Sequence, residues 1–290
     1  MSTMAAAPSV QAPRSARSAG AATRAAFNAL LLRDLTVLRK NLGVFIARTL
    51  IQPFLLVFVF LYVFPQIGQG VGGSTAGGLS SFATILVAGV VGLSIMFQGI
   101  QAVALPLANE FGYTKEIEDR VLAPLPVSLV AVGKVVAGAI QGLIAAAVVF
   151  PIAAVVHANG VHPNLSVHWL LLLTLIPLTS IMTSSLGLVL GTRISPRNIG
   201  VMFGFIVLPI TFLGGTYYPW TTLAAVKVAG FPWLQALVCA NPLIYVTEGF
   251  RAALTTAPHM PLYVIYPVLT AFSVLFLWVG CRGFHRRVIS

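Results

Sequence analysis

The segment FATILVAGVVGLSIMFQGIQAVAL, residues 82–105, decides the fold because it contains no charged side chain. A helix of about 20 apolar residues crosses the roughly 30 Å hydrocarbon core of a bilayer. The whole chain is 58% hydrophobic and 8% charged, whereas soluble domains carry about 25% charged residues. The sequence therefore predicts an all-α membrane protein that crosses the bilayer several times.

Other apolar segments repeat this pattern along the chain. Together they predict six membrane spans, near residues 49–67, 82–105, 129–156, 169–191, 199–218 and 262–281. Prolines in or beside several of these segments predict kinks, because proline removes one helical hydrogen bond. Residues 221–261 are apolar but are broken by proline and glycine. We expect short re-entrant or interfacial helices there, shielded by protein at membrane depth.

The N-terminal region divides into a polar tail and an amphipathic helix. Residues 1–23 are rich in Ala, Ser, Pro and Arg, which predicts a disordered cytoplasmic tail. In residues 24–42, apolar side chains recur at helical steps of three and four. They are Phe27, Leu31, Leu35, Leu38 and Leu42. The basic character of this helix favours a position in the headgroup plane over packing on a soluble subunit.

The basic residues predict the orientation in the membrane. Of the 17 Lys and Arg residues, all but Lys227 and Arg251 fall on one side of the predicted topology. Positively charged segments remain cytoplasmic, so both termini are expected in the cytoplasm of a multi-pass protein in a bacterial plasma membrane. The net charge of +11 follows from this pattern and from contact with membrane lipids. It does not indicate nucleic-acid binding.

Four of the six acidic residues lie in one short segment, residues 110–120. They are Glu110, Glu116, Glu118 and Asp119. The spacing allows about two helical turns before Pro124 ends the helix, and Glu116 and Arg120 then form an i, i+4 pair. We expect a short, charged cytoplasmic helix that touches a soluble partner. A solvated loop is the alternative.

Three motifs, in this order, resemble those of type-2 ABC exporter permeases, which include antibiotic-resistance, nodulation-factor and polysaccharide export permeases. Residues 110–128 resemble the coupling-helix segment of that family through Glu110, Gly112, Glu118, Leu122, Pro124, Pro126 and Ser128. Residues 214–219, GGTYYP, resemble the end of the family's fifth span. Residues 241–254, NPLIYVTEGFRAAL, resemble the segment before its last span. The likeness extends from about Arg24 to Arg287, and residues 24–290 form the expected transmembrane domain. At residues 111–113 the chain has Phe-Gly-Tyr, where the family more often has charges before the glycine.

The resemblance implies a transport subunit that is driven by other chains. It implies that two permeases, identical or paralogous, pair in the membrane and that two cytoplasmic ABC ATPase subunits bind beneath them. ATP and Mg²⁺ would be held by those ATPases, and no cofactor by this chain. The docking residues that it implies act mechanically and electrostatically. They are Tyr113, Glu116, Glu118, Asp119 and Arg120.

The sequence lacks an ATPase site of its own. A phosphate loop needs two glycines at fixed spacing before Lys and Ser or Thr, and the Gly133-Lys134 pair is followed by Val135. The expected function is ATP-driven export of a hydrophobic or amphipathic drug, lipid or glycolipid. A lipid-linked polysaccharide is the alternative substrate within the family.

Polar residues inside the predicted spans are candidates for a transport pathway, because such groups face the bundle or a cavity. The candidates are Gln98, Gln101, Thr183 and Ser184. The two hydroxyls either line a route or bond to helix carbonyls. Glu248 and Arg251, three residues apart in the outer segment, form either an external gate or a plain surface pair.

Two other classes of function find little support in the sequence. No Asp or Glu lies in the middle of a predicted span, which counts against an ATPase-independent secondary transporter or channel. No catalytic constellation supports a lipid-modifying membrane enzyme. His157, His162 and His168 share one external loop without Cys, Asp or Glu beside them, so no metal site is predicted.

Glycines four residues apart predict places where helices approach closely. Such pairs are Gly138 with Gly142, Gly187 with Gly191, and Gly200 with Gly204. They serve either packing within the subunit or a seam between two subunits.

Overall fold

The computed structural model describes residues 19–69, 76–114, 125–155 and 163–289. The regular elements in these ranges are helices, which confirms the all-α class. Five helices there are long and apolar enough to span a membrane. They are Leu42–Gln66, Gly77–Gly112, Val127–Ile152, Trp169–Arg193 and Leu262–Val288. The predicted count of six spans is not confirmed.

Seven helices position the sites described below. They are α1 (Ala19–Lys40), α2 (Leu42–Phe58), α3 (Ala76–Asn109), α4 (Val127–Val155), α5 (Trp169–Arg193), α6 (Pro242–Leu254) and α7 (Leu262–Ile289). The α2 helix continues through a π-helical turn, Val59–Val63, into Phe64–Gln66. The α3 helix likewise continues into a π-helical turn, Glu110–Thr114.

The α1 helix packs on the bundle of this same chain. It begins at Ala19, inside the segment predicted to be a disordered tail, and residues 1–18 lie outside the described ranges. Phe27 and Leu30 pack on a cluster of buried side chains that includes Val130 and Phe284. Phe27, on the apolar face predicted from the sequence, thus packs against α4 of the same chain. The position of α1 relative to lipid headgroups stays a prediction.

The α3 helix is the centre of the bundle. Apolar residues surround it on all sides, the pattern of a helix buried on every face, and 78% of its apolar stretch is buried in the molecule. The corresponding share is 22% for the span that begins with α2 and 17% for α7. The α3 helix therefore packs against α4, α5 and α6, whereas α2 and α7 leave most of their surface for lipid or a partner.

The span predicted at residues 199–218 corresponds to a short helix of four successive turns, named here the broken helix. It consists of a 3₁₀ turn Pro196–Asn198, an α-helical turn Ile199–Met202, a π-helical turn Phe203–Val207 and an α-helical turn Leu208–Phe212. Gly214 and Gly215 follow, and Gly215 has a φ of +68°, a conformation that glycine adopts at little cost. At 1.5 Å per residue the broken helix is shorter than the roughly 30 Å hydrocarbon core.

Short helices fill the region before α7, where the sequence predicts re-entrant or interfacial helices. A 3₁₀ helix covers Trp220–Ala225 and an α-helix covers Trp233–Val238, ahead of α6. Asn241 caps α6, because its side chain accepts a hydrogen bond from the Leu243 N–H at 2.9 Å. Its amide also donates to the Ile210 carbonyl at 2.7 Å, which fastens α6 to the broken helix. Every residue of α6 is buried. A re-entrant placement in the membrane stays a prediction.

Two of the three glycine pairs lie in tight contacts between helices. A Cβ at Gly187 would lie 2.8 Å from the Ile100 carbonyl oxygen, and one at Gly142 would lie 2.8 Å from Ser180 Oγ. At Gly200 and Gly204 a Cβ would meet nothing within 4 Å. The first two pairs therefore serve packing within the subunit, whereas the Gly200 pair leaves a seam with a second subunit open.

Alanine at Gly187 is expected to destabilise the folded chain by about 1–3 kcal/mol, because its Cβ would be forced against backbone. Alanine at Gly204 is the matched control, since its Cβ would meet open space. At Gly204, replacing a helical glycine by alanine should leave the folding stability unchanged or increase it by about 0.5–1 kcal/mol. Thermal unfolding of both variants in detergent checks this. Equal midpoints for the two variants would contradict the packing at Gly187.

Candidate functional site

Helices α1 to α4 enclose a cleft of about 660 Å³. The cleft lies towards the end of the bundle at which Lys134, Arg193 and Arg287 are found, named here the basic end. Its apolar lining includes Val37, Leu38, Val44, Phe45 and Leu105. Its neutral polar lining includes Asn41, Gln98, Gln101, Asn109 and Gln141. The cleft is therefore amphipathic, with a size typical of small-molecule sites.

A chain of polar side chains follows one wall of the cleft into the bundle. Thr49 Oγ1 donates to Gln98 Oε1 at 3.1 Å, and Gln98 Nε2 donates to Gln141 Oε1 at 3.4 Å. Arg48 donates to Gln101 Oε1. The structure thus places the predicted pathway residues Gln98 and Gln101 in one cleft. It adds Arg48, which sequence reasoning used only for membrane orientation.

The other two pathway candidates, Thr183 and Ser184, lie elsewhere and are fully buried. Thr183 Oγ1 donates to the Thr179 carbonyl at 2.9 Å. Both hydroxyls contact glycines, since a Cβ at Gly99 would meet Thr183 and a Cβ at Gly138 would meet Ser184. Thr183 thus bonds to a helix carbonyl, as one of the two alternatives predicted, whereas the Ser184 hydroxyl forms no hydrogen bond with the described residues. A transport role for them stays a prediction.

A buried ion-pair cluster closes the cleft at the basic end. Lys134 Nζ lies 2.6 Å from Glu110 Oε1 and 3.6 Å from Asp34 Oδ2. Lys134 and Glu110 are each 7% exposed, and buried charges require such partners. The cluster joins α1, the end of α3 and α4.

Sequence reasoning missed this cluster, although the chain carries a signal for it. Asp34 lies on the same face of α1 as the apolar residues, and Lys134 lies in an otherwise uncharged helix. Opposite charges on two apolar faces indicate that the faces meet.

The predicted docking residues fall largely outside the described ranges. Glu110–Thr114 extends α3 as a π-helical turn and does not begin a separate helix. Tyr113 belongs to that turn, whereas residues 115–124, with Glu116, Glu118, Asp119 and Arg120, are not described. Their docking role stays a prediction.

At the opposite end, Glu248 and Arg251 form an ion pair inside the molecule. Arg251 Nη1 donates to Glu248 Oε1, and both side chains are 0% exposed. Glu248 also accepts the N–H of Trp220 at 2.8 Å and that of Met260 at 2.7 Å. The alternative of a plain surface pair is therefore wrong.

Arg251 completes a network that joins α6 to the segments around it. Its Nη2 donates to the carbonyls of Gly215, at 2.9 Å, and Tyr218, at 3.5 Å. Nearby, Thr247 Oγ1 donates to the Gly214 carbonyl at 2.6 Å. The pair thus connects α6 with the segment after the broken helix and the segment before α7. Its predicted role as an external gate remains untested.

The histidine loop lies mostly outside the described ranges. His157 and His162 are not described, and the His168 N–H donates to the Ala253 carbonyl at 2.8 Å. Within the described part of the chain, no group of three or more His, Cys, Asp or Glu residues is placed to hold a metal ion.

Comparisons with known proteins agree with this architecture. The family model described as ABC-2 type transporter matches residues 25–255. The chain is 27% identical over 233 residues to the inner membrane transport permease YadH of Escherichia coli strain K12, covering 79% of this chain and 84% of that protein. The YadH permease of Shigella flexneri gives the same values. Because the family model covers most of the chain, this protein belongs to the ABC-2 type transporter family of membrane permeases.

Proposed function

We propose that this chain is the permease subunit of an ATP-driven exporter, which moves a hydrophobic or amphipathic substrate out across a bacterial plasma membrane. A drug, a lipid or a glycolipid fits this description. The observation that carries the proposal is the cleft between α1 and α4, whose lining combines apolar and polar side chains. Such a lining suits a molecule that has both an apolar body and a polar head.

The proposed orientation places the basic end in the cytoplasm. Lys and Arg flank the ends of the spans there, and such residues favour the cytoplasmic side. Both termini are then cytoplasmic. The cleft faces the inner leaflet, and Val44 at its rim is 72% exposed. A substrate would therefore enter from the cytoplasm or from the inner leaflet.

The proposed driver is a pair of ABC ATPase subunits that dock on residues 113–120. Residues 115–124 connect the extended end of α3 to α4, which begins at Val127. A displacement of this connection would act directly on both helices. The cluster of Lys134, Glu110 and Asp34 would carry that displacement to α1 as well. ATP and Mg²⁺ belong to the ATPases in this proposal.

A second permease copy or a paralogue is proposed as the membrane partner. Large apolar side chains on the broken helix are exposed, at 80% for Phe205, 48% for Leu208 and 60% for Phe212. Apolar surface of this kind contacts lipid or a second subunit in a bilayer. The open space at Gly200 and Gly204 on the same helix supports the second subunit.

Two alternatives make different predictions. A lipid-linked polysaccharide permease would keep the ATPase partner and change only the substrate. A secondary transporter or channel would transport without an ATPase. Against it, Glu110 lies near the basic end of its span and is already paired with Lys134, so it does not supply a mid-membrane ion carrier.

Replacing Glu118 and Arg120 together by alanine is expected to weaken co-purification of the ATPase about tenfold or more. The physical reason is that truncated charges at a protein interface leave their partners unpaired. Alternatively, the variant should hydrolyse ATP without export. Co-purification, ATPase activity and export would be measured together on the assembled complex.

The matched control is Arg197→Ala, an exposed residue at the basic end. It should leave binding and export near the unmodified level. Unchanged binding and unchanged export in the Glu118 and Arg120 double variant would remove the docking proposal.

A further inference from the structure

We propose that the cleft binds the phosphate headgroup of an amphiphile, with Arg48 as its cationic contact. This inference rests on the proposed export function and names the substrate class more closely. It starts from Arg48, a cationic side chain in the cleft lining that forms no ion pair with a described carboxylate.

Arg48 lies near the basic end of the helix Leu42–Gln66, beside the first predicted span, and its exposed side chain lines the cleft. It is about 9 Å along the helix axis from Leu42, where α2 begins. Its hydrogen-bond partner is Gln101 Oε1, which carries no charge. No described carboxylate forms an ion pair with Arg48. A charged side chain at the end of a span reaches water or pairs with an opposite charge, so Arg48 offers a site for an anion.

The carboxylates of the cleft are engaged elsewhere. Its lining carries Arg33, Arg48, Lys134, Asp34 and Glu110, a balance of one excess positive charge. Lys134 lies beside both Asp34 and Glu110. Glu110 is about 13 Å further along the helix than Gln101. The negative charges therefore stay at the basic end, while the positive charge of Arg48 lies deeper.

The surroundings of Arg48 suit a phosphate in particular. A guanidinium presents N–H groups in a planar fork that matches phosphate oxygens. The side-chain amides of Gln98, Gln101 and Gln141 supply neutral polar groups on the same wall. A smaller cavity of about 30 Å³, lined by Arg48, Thr49, Ser94 and Gln98, adjoins the cleft. It has room for one water molecule that would complete the hydration of the head.

The apolar lining accounts for the rest of the ligand. Val44, Phe45 and Leu105 line the same cleft as Arg48. An alkyl chain attached to the phosphate would lie against these side chains and would thereby be removed from water. Free phosphate would gain only the polar contacts, so the amphiphile should bind more tightly.

Binding of radiolabelled dioleoyl phosphatidic acid to the full chain in dodecyl maltoside micelles tests the proposal. Arg48→Gln should weaken retention of the label about 10- to 100-fold, the range for losing a hydrogen-bonded charge. Arg48→Lys should retain more label than Arg48→Gln, because lysine keeps the positive charge but lacks the planar guanidinium. Arg39→Gln is the matched control, since Arg39 is exposed on α1 and outside the cleft lining.

Competition by unlabelled ligands identifies the source of the phosphate. Phosphatidic acid should displace the label, whereas phosphatidylcholine and inorganic phosphate at equal concentration should not. Displacement by phosphatidylcholine as effective as that by phosphatidic acid would overturn the role of the anionic head. Equal displacement by inorganic phosphate would overturn the amphiphile. Equal losses in the Arg48 and Arg39 variants would overturn the site.

The outcome is independent of the ATPase. Retention is measured on the purified permease alone, so a failure to dock an ATPase leaves it unchanged. Conversely, an intact ATPase complex with no Arg48-dependent retention would reject this site and leave the proposed export function standing. Unfolding midpoints of the Arg48 variants, compared with that of the Arg39 control, show whether the fold is retained.

Discussion

The Glu248→Ala variant is expected to lose about 3–5 kcal/mol of folding free energy, which corresponds to more than a 100-fold change in the unfolding equilibrium. The reason is that Arg251, at 0% exposure, would keep its charge without its partner carboxylate. The N–H groups of Trp220 and Met260 would lose their acceptor as well. Unfolding in detergent, followed by circular dichroism, measures the loss.

Two controls separate the ion pair from general sensitivity of this region. Lys227→Ala removes an exposed charge from the same end of the molecule and should change stability by less than about 0.5 kcal/mol. Replacing both Glu248 and Arg251 by glutamine should cost less than the sum of the two single replacements, with a coupling of about 0.5–3 kcal/mol. A Glu248→Ala variant as stable as Lys227→Ala would contradict the buried network.

The contacts of this pair support a bracing role more than a gating role. Glu248 holds backbone N–H groups on both sides of α6, and Arg251 holds carbonyls of the segment after the broken helix. Opening the pair would leave these groups unsatisfied in the interior. A gate at this place would therefore have to move the two connecting segments together with α6.

Composition and hydropathy were sufficient to predict the helical membrane fold. The predicted span 169–191 corresponds to Trp169–Arg193, and the predicted span 129–156 corresponds to Val127–Ile152. Long apolar segments fold as helices in lipid because each backbone group must find a partner inside its own segment. This constraint acts locally, so the sequence alone reveals it.

Hydropathy did not predict where the helix within residues 199–218 ends. Residues 199–218 are as apolar as a span, but the helix there ends at Phe212, just before Gly214 and Gly215. Hydropathy measures the side chains of a segment and does not register where its helix stops. Gly214 and Gly215 are the sequence signal for the end of this helix.

The sites depend on contacts between residues that are distant in the chain. Lys134 pairs with Asp34 across two intervening helices, and periodicity in one segment does not predict such a partner. Glu248 and Arg251 were identified because they are three residues apart on one helix. Their burial follows from the packing of α6 against α3, which no local pattern contains. The docking residues 116–120 lie outside the described ranges, so their role stays a prediction.

The permease alone is expected to perform no uphill transport. It carries no phosphate loop, and the family to which it belongs implies an ATPase partner. The proposed cleft supplies a route and a binding surface but no source of free energy. With its ATPase and ATP, the same chain should concentrate substrate against a gradient. Uphill accumulation of substrate should therefore occur only when the ATPase and ATP are both present.

Accumulation of a fluorescent short-chain phospholipid in sealed proteoliposomes tests this account most directly. Vesicles would contain the permease either alone or with the ABC ATPase that co-purifies with it, and each would be assayed with and without ATP under imposed proton and sodium gradients. We expect accumulation in the vesicles that contain both proteins and ATP, and none in the vesicles with the permease alone. Sustained accumulation against a gradient by the permease alone, with no nucleotide present, would contradict the account.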